Sequence, residues 1–454
     1  MPDKTSQESS IAAENRLDRL YAFIANEETR VCDDIEPEAC RHVPGNFFLQ
    51  LASLTLTKTG DALVNAKTVL AWLLGTLGAP VGFVALLVPI RESGSMLPQL
   101  FIAGPIRAFA RRKWVWVAGS VLQALAILGM AGTALLLEEV AAGIALIGAL
   151  TLFSLARGLS SIASKDVLGK TVPKRRRGRL NGLASTVAGL ATITLGAVLL
   201  TRLDEETPSV FFVWILLAAA LLWLLASSIY GAIREHPLKS ESGGGTLTEA
   251  GRSLALLKTD APLRRFVIAR ALLLCSALSA PYYVLLAQRT EGATPALLGG
   301  FILAGGLASS LSAAVWGWLA DRSSRLVMAA GGFITAATGV TVFLVDRVTP
   351  ETAAVAWFFA GAYFFLNIAH SGVRLGRKTF LVDLAGGDKR TRYVAVSNSA
   401  IGLILLVIGV TGAIIPSPSP AWNVLALSLA GLLGAVLSQR LPEVTAGNPH
   451  SSAK

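Results

Sequence analysis

Two long apolar blocks of the chain meet at Gly317-Trp318-Leu319-Ala320-Asp321-Arg322-Ser323-Ser324-Arg325, a stretch that carries both charge signs within a few residues. Charges cluster in this way where a polypeptide leaves one membrane-spanning helix and enters the next. The stretch therefore predicts a short turn between two transmembrane helices. If that prediction holds, the rest of the chain should repeat the pattern of apolar block and charged turn.

The composition is that of a polytopic membrane protein. Hydrophobic residues make up 53% of the 454 residues, charged residues make up 15%, and the mean hydropathy is +0.60. These values are too apolar for a soluble chain of this length. The formal net charge of +11 does not indicate nucleic-acid binding, because the Lys and Arg residues lie in short interhelical loops and form no continuous stripe.

Twelve apolar segments, each bounded by charge, Pro or Gly, come close to the ~20 residues that a helix needs to cross the hydrocarbon core. They lie at residues 47–74, 80–106, 114–136, 140–163, 180–201, 210–232, 264–287, 295–319, 326–345, 352–372, 393–415 and 421–438. The sequence thus predicts an all-α integral membrane protein with twelve transmembrane helices.

The loops between these segments fall on two sides of opposite charge. One side, the basic face, carries 19 Lys and Arg residues in four loops, at residues 107–113, 165–179, 322–325 and 374–392. The other side, the acidic face, carries three cations beside eight acidic residues. Because cytoplasmic loops are enriched in Lys and Arg, the basic face and both termini are predicted to be cytoplasmic, with the protein in the inner membrane.

The longest connection runs from Ile233 to about Leu263 and divides the twelve spans six and six. It predicts a cytoplasmic N-terminal extension (1–44), a six-helix bundle (45–232), a cytoplasmic linker (233–262), a second six-helix bundle (263–440) and a cytoplasmic tail (441–454). A weak repeat relates the bundles, since Arg157 and Lys165 have the same spacing as His370 and Lys378. Two related halves are typical of secondary transporters.

The sequence of the N-terminal extension contains no pattern that indicates a single structure or role. Leu17, Leu20, Phe23 and Ile24 recur at helical spacing among charged residues, which fits either an amphipathic helix on the membrane or a solvated tail. Cys32 and Cys40 belong to the predicted cytoplasmic side, so no disulfide is expected, and their spacing with His42 matches no usual zinc pattern. The role of the extension stays open.

Charged residues inside the first two spans are the candidates for function, since each is costly in the bilayer without a partner or a wet cavity. Lys58, Asp61 and Asn65 share one helical face, so Lys58 is expected to pair with Asp61. Lys67 points roughly the opposite way and is expected to snorkel toward the outer surface. Span 2 contains Arg91-Glu92 near its middle.

Asp61 and Glu92 are the only carboxylates placed deep in any span, and this makes them candidates for proton coupling. Burial favours a neutral carboxyl, whereas nearby Lys58, Arg91 or Arg157 favours the carboxylate, so protonation can depend on which side the cavity faces. The alternative is a set of permanent ion pairs that only fix the packing of the helices.

On the side of the first half that is expected to face the cavity, three cations (Lys58, Arg91 and Arg157) outnumber the two carboxylates. The sequence therefore predicts a net cationic cavity and an anionic solute. His370 on the fourth span of the second half, with Asn367 and Asn398, completes the candidate cavity residues. His370 could relay protons or bind the solute by a hydrogen bond. An ordinary packing role is the alternative for each of these three.

The charged stretch resembles the loop signature of the major facilitator superfamily between the second and third helices of a half, in Gly317, Leu319, Ala320, Asp321, Arg322 and Arg325. The first-half loop, residues 104–113, keeps a Gly and a basic end but has Ala108 at the aspartate position. The likeness covers about residues 45–440. It implies two six-helix bundles and a secondary active transporter that moves a small solute by alternating access.

Within this loop motif, Asp321 is expected to accept hydrogen bonds from Arg322 or Arg325, or from the start of a neighbouring helix. Such a contact would latch the basic face closed. A solvated turn charge is the alternative.

Other function classes are excluded or left open by the motifs. The chain has no Gly-x-Ser-x-Gly elbow and one intramembrane histidine, so no enzyme, cofactor or metal centre is predicted. It has no Gly-x-x-x-x-Gly-Lys-Ser/Thr loop, which leaves an ion gradient, by default of protons, as the energy source. Membrane lipid and an unidentified small solute are the predicted partners. A lipid or lysolipid flippase, or a non-transporting receptor of the same fold, stays open as a rival.

Overall fold

A computed structural model describes residues 19, 21–23, 40–97, 109–202, 210–237, 255–290, 294–349, 352–384, 389–415 and 417–444. Over these residues the chain is helical and contains no strand. The first-half helices are α1 (Val43–Leu63), α2 (Val69–Thr76), α3 (Val81–Met96), α4 (Lys113–Leu136), α5 (Glu139–Thr171), α6 (Lys174–Arg202) and α7 (Val210–Gly231).

The second-half helices are α8 (Ala261–Leu273), α9 (Cys275–Leu278), α10 (Ala280–Gln288), α11 (Pro295–Arg322), α12 (Ser324–Val348), α13 (Ala353–Leu384), α14 (Lys389–Ile414) and α15 (Pro420–Gln439). Ten stretches of the described chain are long and apolar enough to cross a membrane, counting α8 to α10 as one. The α1–α2 pair and α3 provide the two remaining passes. The twelve-helix fold predicted from the sequence is therefore confirmed.

The first pass is interrupted in the middle. Helix α1 ends at Leu63 and α2 begins at Val69, and Asn65 organises the gap between them. Its side-chain Oδ1 accepts a hydrogen bond from the Lys67 backbone N at 2.8 Å, and its carbonyl accepts from the Leu70 N at 3.0 Å. An unwound segment at membrane depth is tolerated where its backbone groups find partners and face a cavity.

The corresponding pass of the second half is interrupted as well. Helices α8, α9 and α10 are separated at Leu274 and Ser279. Pro281 lies in the first turn of α10, where its missing N–H leaves no intrahelical hydrogen bond unmade. Both halves therefore place irregular backbone at the same point of the repeat.

The two sets of helices meet closely at the acidic face. A Cβ added to Gly299 on α11 would lie 2.5 Å from the backbone N of Leu200 and 2.7 Å from the carbonyl O of Gly196, both on α6. A Cβ at Gly82 on α3 would lie 2.7 Å from the carbonyl O of Ala413 on α14. Only glycine permits these backbone approaches, and they seal this end of the space between the halves.

Toward the basic face the same helices separate. Ser185 and Thr186 on α6, and Ser309 and Ser310 on α11, are exposed and line the space between the halves. Helices α6 and α11 thus touch near the acidic face and diverge toward the basic face. The cavity between the halves is open on the side that carries the 19 predicted loop cations.

Several of those cations lie on helices rather than in loops. Helix α5 continues to Thr171 and α13 continues to Leu384, beyond the predicted span ends at 163 and 372. Lys165, Arg374, Arg377 and Lys378 are therefore on helical walls. The charge asymmetry between the two faces is unchanged, but part of it lines the approach to the cavity.

A buried carboxylate fixes the basic end of the first half. Glu235, which follows α7, accepts hydrogen bonds from the backbone N of Arg112 (3.1 Å) and of Lys113 (2.8 Å) at the start of α4. Its side chain also forms an ion pair with Lys170 at 2.9 Å. Carboxylates are favoured where helix N-termini present free amides. Glu443, which follows α15, makes the related contact in the second half, accepting from Ser323 at 2.6 Å.

Tyr21 of the N-terminal extension packs against the first half. Tyr21 is 3% exposed and its ring meets Phe47 edge-to-face at 5.3 Å. Phe23, which the sequence places on an apolar face, is 83% exposed in the structure. Leu17, Leu20 and Ile24 lie outside the described residues.

One cysteine differs from the expectation. Cys40 is disulfide-bonded, whereas Cys275 is free and buried, and Cys32 lies outside the described residues. The expectation that no disulfide forms is wrong for Cys40. The expectation was based only on the reducing conditions of the predicted compartment. Whether two cysteines are close enough to form a disulfide depends on the fold, which that argument does not consider.

Candidate functional site

A cavity of about 1030 Å³ lies between the first-half and second-half helices. It brings together eight of the residues singled out by the sequence: Lys58, Asp61, Asn65, Arg91, Glu92, Arg157, Asn367 and His370. Asn398 is not among its lining residues; its Oδ1 accepts a hydrogen bond from Arg270 Nη2 at 3.0 Å. The cavity thus collects polar groups from α1, α3, α5 and α13.

Asp61 is held by two arginines. Its Oδ1 accepts from Arg91 Nη2 at 3.0 Å and from Arg157 Nη1 at 2.5 Å. Lys58 does not reach Asp61; its Nζ donates to Ser185 Oγ on α6 at 2.5 Å. The predicted Lys58–Asp61 pair is therefore wrong, because two guanidinium groups from neighbouring helices satisfy the carboxylate more completely than one ammonium on its own helix.

Glu92 is in a different position from Asp61. Among the described residues it has no ion pair within 4.0 Å, although it is half-buried on the cavity wall. Its carboxylate interacts electrostatically with four cations, Lys67, Arg91, Arg377 and Arg157. Because Arg377 belongs to the second half, cations of both halves act on Glu92. The two carboxylates that the sequence treats alike are thus distinguished: one is fixed in an ion-pair triad and the other is not.

Lys67 faces the cavity, so the prediction that it snorkels toward the outer surface is wrong. Its Nζ lies 3.1 Å from Nε2 of His370, and His370 Nδ1 lies 3.1 Å from Ser276 Oγ on α9. The snorkelling prediction assumed a continuous helix through residue 67. Because the helix is interrupted between Leu63 and Val69, Lys67 turns into the cavity and contacts the second half.

The tautomer of His370 follows from its two neighbours. Ser276 Oγ donates to the Leu273 carbonyl at 3.0 Å, which leaves it as an acceptor for the Nδ1–H of a neutral imidazole. Nε2 is then free to accept from the Lys67 ammonium. This chain of hydrogen bonds joins the two halves directly across the cavity.

Besides Lys67, two cationic cavity residues were not predicted from the sequence. Arg374 and Arg377 line the cavity one and two turns after His370 on α13, although the sequence assigns them to a loop. The positions 370, 374 and 377 have the spacing of one helical face, and this is the signal that could have found them. With Lys58, Lys67, Arg91 and Arg157 they give the cavity six cationic side chains against two carboxylates.

The loop motif is arranged differently from the expectation. Arg322 stacks on the Trp318 ring at 3.6 Å, and Arg325 Nε forms an ion pair with Glu443 at 3.0 Å. Asp321 is exposed and makes no hydrogen bond or ion pair within the part of the chain that the structure describes. The predicted contacts of Asp321 with Arg322 or Arg325 are therefore wrong in this state. Gly317, in the helix before the turn, has open space where a Cβ would lie.

Twelve passes in two sets, with a polar cavity between the sets that is closed at one face and open at the other, define a membrane transporter rather than an enzyme. The family model described as Major Facilitator Superfamily matches residues 59–403. The chain belongs to this superfamily, and the resemblance seen in the charged stretch is confirmed. No curated protein matches the sequence.

Solved structures of transporters share the fold. The inward-open xylose transporter XylE from E. coli is 12% identical with a TM-score of 0.64, covering 88% of this chain and 97% of that chain. The POT family transporter PepTSo is 13% identical with a TM-score of 0.64, covering 88% and 97%. The nucleoside transporter NupG is 13% identical with a TM-score of 0.59, covering 87% and 97%. At these identities the likeness concerns the fold.

Proposed function

We propose that this protein is a proton-coupled secondary transporter of a small anion, which it binds between the two halves and exposes alternately to the two sides of the inner membrane. The observation that carries the proposal is the charge of the cavity. Six cationic side chains face two carboxylates, a net formal charge of +4 with His370 neutral. A cation entering this space would be repelled, and a neutral solute would leave the excess charge unbalanced.

Alternating access is supported by the asymmetry of closure. The glycine contacts between α6 and α11 seal the acidic face, while the serines further along both helices line an open mouth. By the excess of Lys and Arg the basic face and both termini are cytoplasmic, so this state faces inward. The bundle boundaries near 45–232 and 263–440 then correspond to the two moving bodies.

Proton coupling is assigned to Glu92, with Asp61 in a supporting role. Glu92 makes no ion pair with any described residue, and cations of both halves favour its carboxylate form in this state, so a movement of the halves that takes these cations away would let it accept a proton. Asp61 is fixed by Arg91 and Arg157 and positions the cationic wall. In the inward-facing state the Asp321 latch is open, and we expect it to form when the basic face closes.

Solute charge can be tested by binding. The purified protein in detergent should be stabilised against thermal unfolding by anionic metabolites, and not by neutral or cationic metabolites of similar size, because a ligand that binds only the folded state raises its stability. Arg157→Gln should weaken the stabilisation. Arg347→Gln, at an aromatic pair on the acidic face outside the cavity, is the matched control. Stabilisation by cations alone would overturn the anion assignment.

A further inference from the structure

The second half contributes cations to the cavity but no carboxylate. Among the described lining residues, Arg374 and Arg377 come from α13, while both carboxylates, Asp61 and Glu92, come from first-half helices. Arg374 is exposed to the cavity and makes no hydrogen bond or ion pair with any described residue. The second-half wall therefore has positive charge with no counter-charge of its own.

Arg377 has a hydrogen-bond donor that no described protein group uses. Its Nη1 atom is buried, and no described group accepts a hydrogen bond from it. A buried donor without a partner destabilises the folded protein, and more so when the group is charged. Native proteins keep such groups where a ligand or an ordered water completes them.

The cations of both halves converge around this arginine pair. Arg374 is close enough to repel the like charges of Lys58 and Lys67, which come from the first pass. Lys378, further toward the mouth, is acted on by Arg374, Arg377 and Lys58. Arg91 and Arg157 share Asp61, whereas the cavity carboxylate that acts on Arg377 is Glu92, which lies on the facing first-half wall. The α13 side of the cavity thus carries two arginines and, among the described lining residues, no carboxylate.

Resting on the proposed function, we infer that the solute is a dianion, a phosphate monoester or a small dicarboxylate, and that Arg374 and Arg377 bind its charged group against Lys58 and Lys67. A monoanion would leave a net charge of +3 in the cavity, and a dianion would leave +2. The cost of enclosing a net charge away from water grows with the square of that charge. Enclosing the solute during transport therefore costs less free energy for a dianion than for a monoanion.

The guanidinium pair suits this class of ligand. Arginine presents a planar fork of donors that matches a carboxylate or phosphate bidentately, which a lysine ammonium cannot do. Lys58 and Lys67 approach from the opposite half, so a bound dianion would bridge the two halves. This bridging would couple occupancy to their closure.

The test compares matched probes on the full-length protein in detergent. Succinate and butyrate have the same chain length and differ by one carboxylate, and glycerol 3-phosphate supplies a dianion on one group. By titration calorimetry we expect succinate or glycerol 3-phosphate to bind about tenfold or more tightly than butyrate, the loss of one charged hydrogen bond being worth about that factor. Which of the two dianions binds tighter distinguishes a dicarboxylate from a phosphate ester.

The variants Arg374→Gln and Arg377→Gln should each reduce this preference to less than about threefold, while Arg347→Gln retains it. Arg374 is exposed, so its variant keeps the test valid if the Arg377 variant does not fold. Equal affinity for succinate and butyrate in the unaltered protein would overturn the dianion inference and leave an anion transporter standing. A dianion preference that survives both variants would overturn the assignment to α13. Binding of neutral or cationic probes alone would instead defeat the proposed function.

Discussion

Replacing Glu92 by Gln is expected to uncouple transport from the proton gradient. In liposomes, accumulation of the solute against its gradient should fall by about tenfold or more, which corresponds to ~1.4 kcal/mol of lost driving force. Exchange of solute between two equal pools should continue, because exchange needs binding and reorientation but no net proton movement. The reason is that Glu92 is the described cavity carboxylate that no ion pair fixes in its charged form.

Asp61→Asn should behave differently and so provides the comparison within the same cavity. It leaves Arg91 and Arg157 without their shared counter-charge. Breaking a fully buried pair costs about 3–5 kcal/mol, and we expect a smaller cost here because these side chains are partly exposed to the cavity. We expect loss of both driven transport and exchange, with a lower unfolding temperature. Glu138→Gln, on the acidic face, controls for loss of a carboxylate elsewhere. Unchanged pH dependence in both the Glu92 and the Asp61 variants would refute proton coupling through these residues.

Gly299→Ala is expected to abolish transport by a purely steric route. The added methyl would lie 2.5 Å from the Leu200 backbone N and 2.7 Å from the Gly196 carbonyl O. Backbone atoms of α6 cannot move aside as a flexible side chain would, so the two helices must separate at the acidic face. The seal at the acidic face would be lost, so the protein could no longer close one face while the other is open.

The matched control is Gly361→Ala on α13, where the added methyl meets nothing within 4 Å. Both variants make the same chemical change in a helix of the second half, so differences in helix propensity cancel. Initial rates of uptake into liposomes should fall at least about tenfold for the Gly299 variant and stay near the original for the Gly361 variant. Equal rates for the two would show that the glycine contact is not part of the transport cycle.

The architecture could be predicted because it depends on properties that act along the chain. Apolar length and loop charge led to twelve passes, and the charged turn at 317–325 led to the superfamily. Most of the charged cavity residues of the first, second and fourth passes were also found, since a charge such as Asp61 or Glu92 in a membrane span requires a polar environment. These inferences needed no knowledge of which helices are neighbours.

The errors arose where a local regularity fails or where a partner comes from a distant segment. The interruption of the first pass at Asn65 reversed the orientation of Lys67. The length of α13 beyond its apolar part moved Arg374 and Arg377 from a predicted loop to the cavity. The choice of Arg91 and Arg157 over Lys58 as partners of Asp61 is made by the packing of three helices, which no spacing within one helix can reveal.

The most direct test of a gradient-driven anion transporter is flux in sealed liposomes that contain the full-length protein. The dianion that binds most tightly should enter saturably, accumulate when a proton gradient is imposed, and stop accumulating when the gradient is dissipated. The same liposomes should show no protein-dependent exchange of lipid between leaflets. Lipid exchange without saturable entry of any anion would contradict the account and favour a flippase.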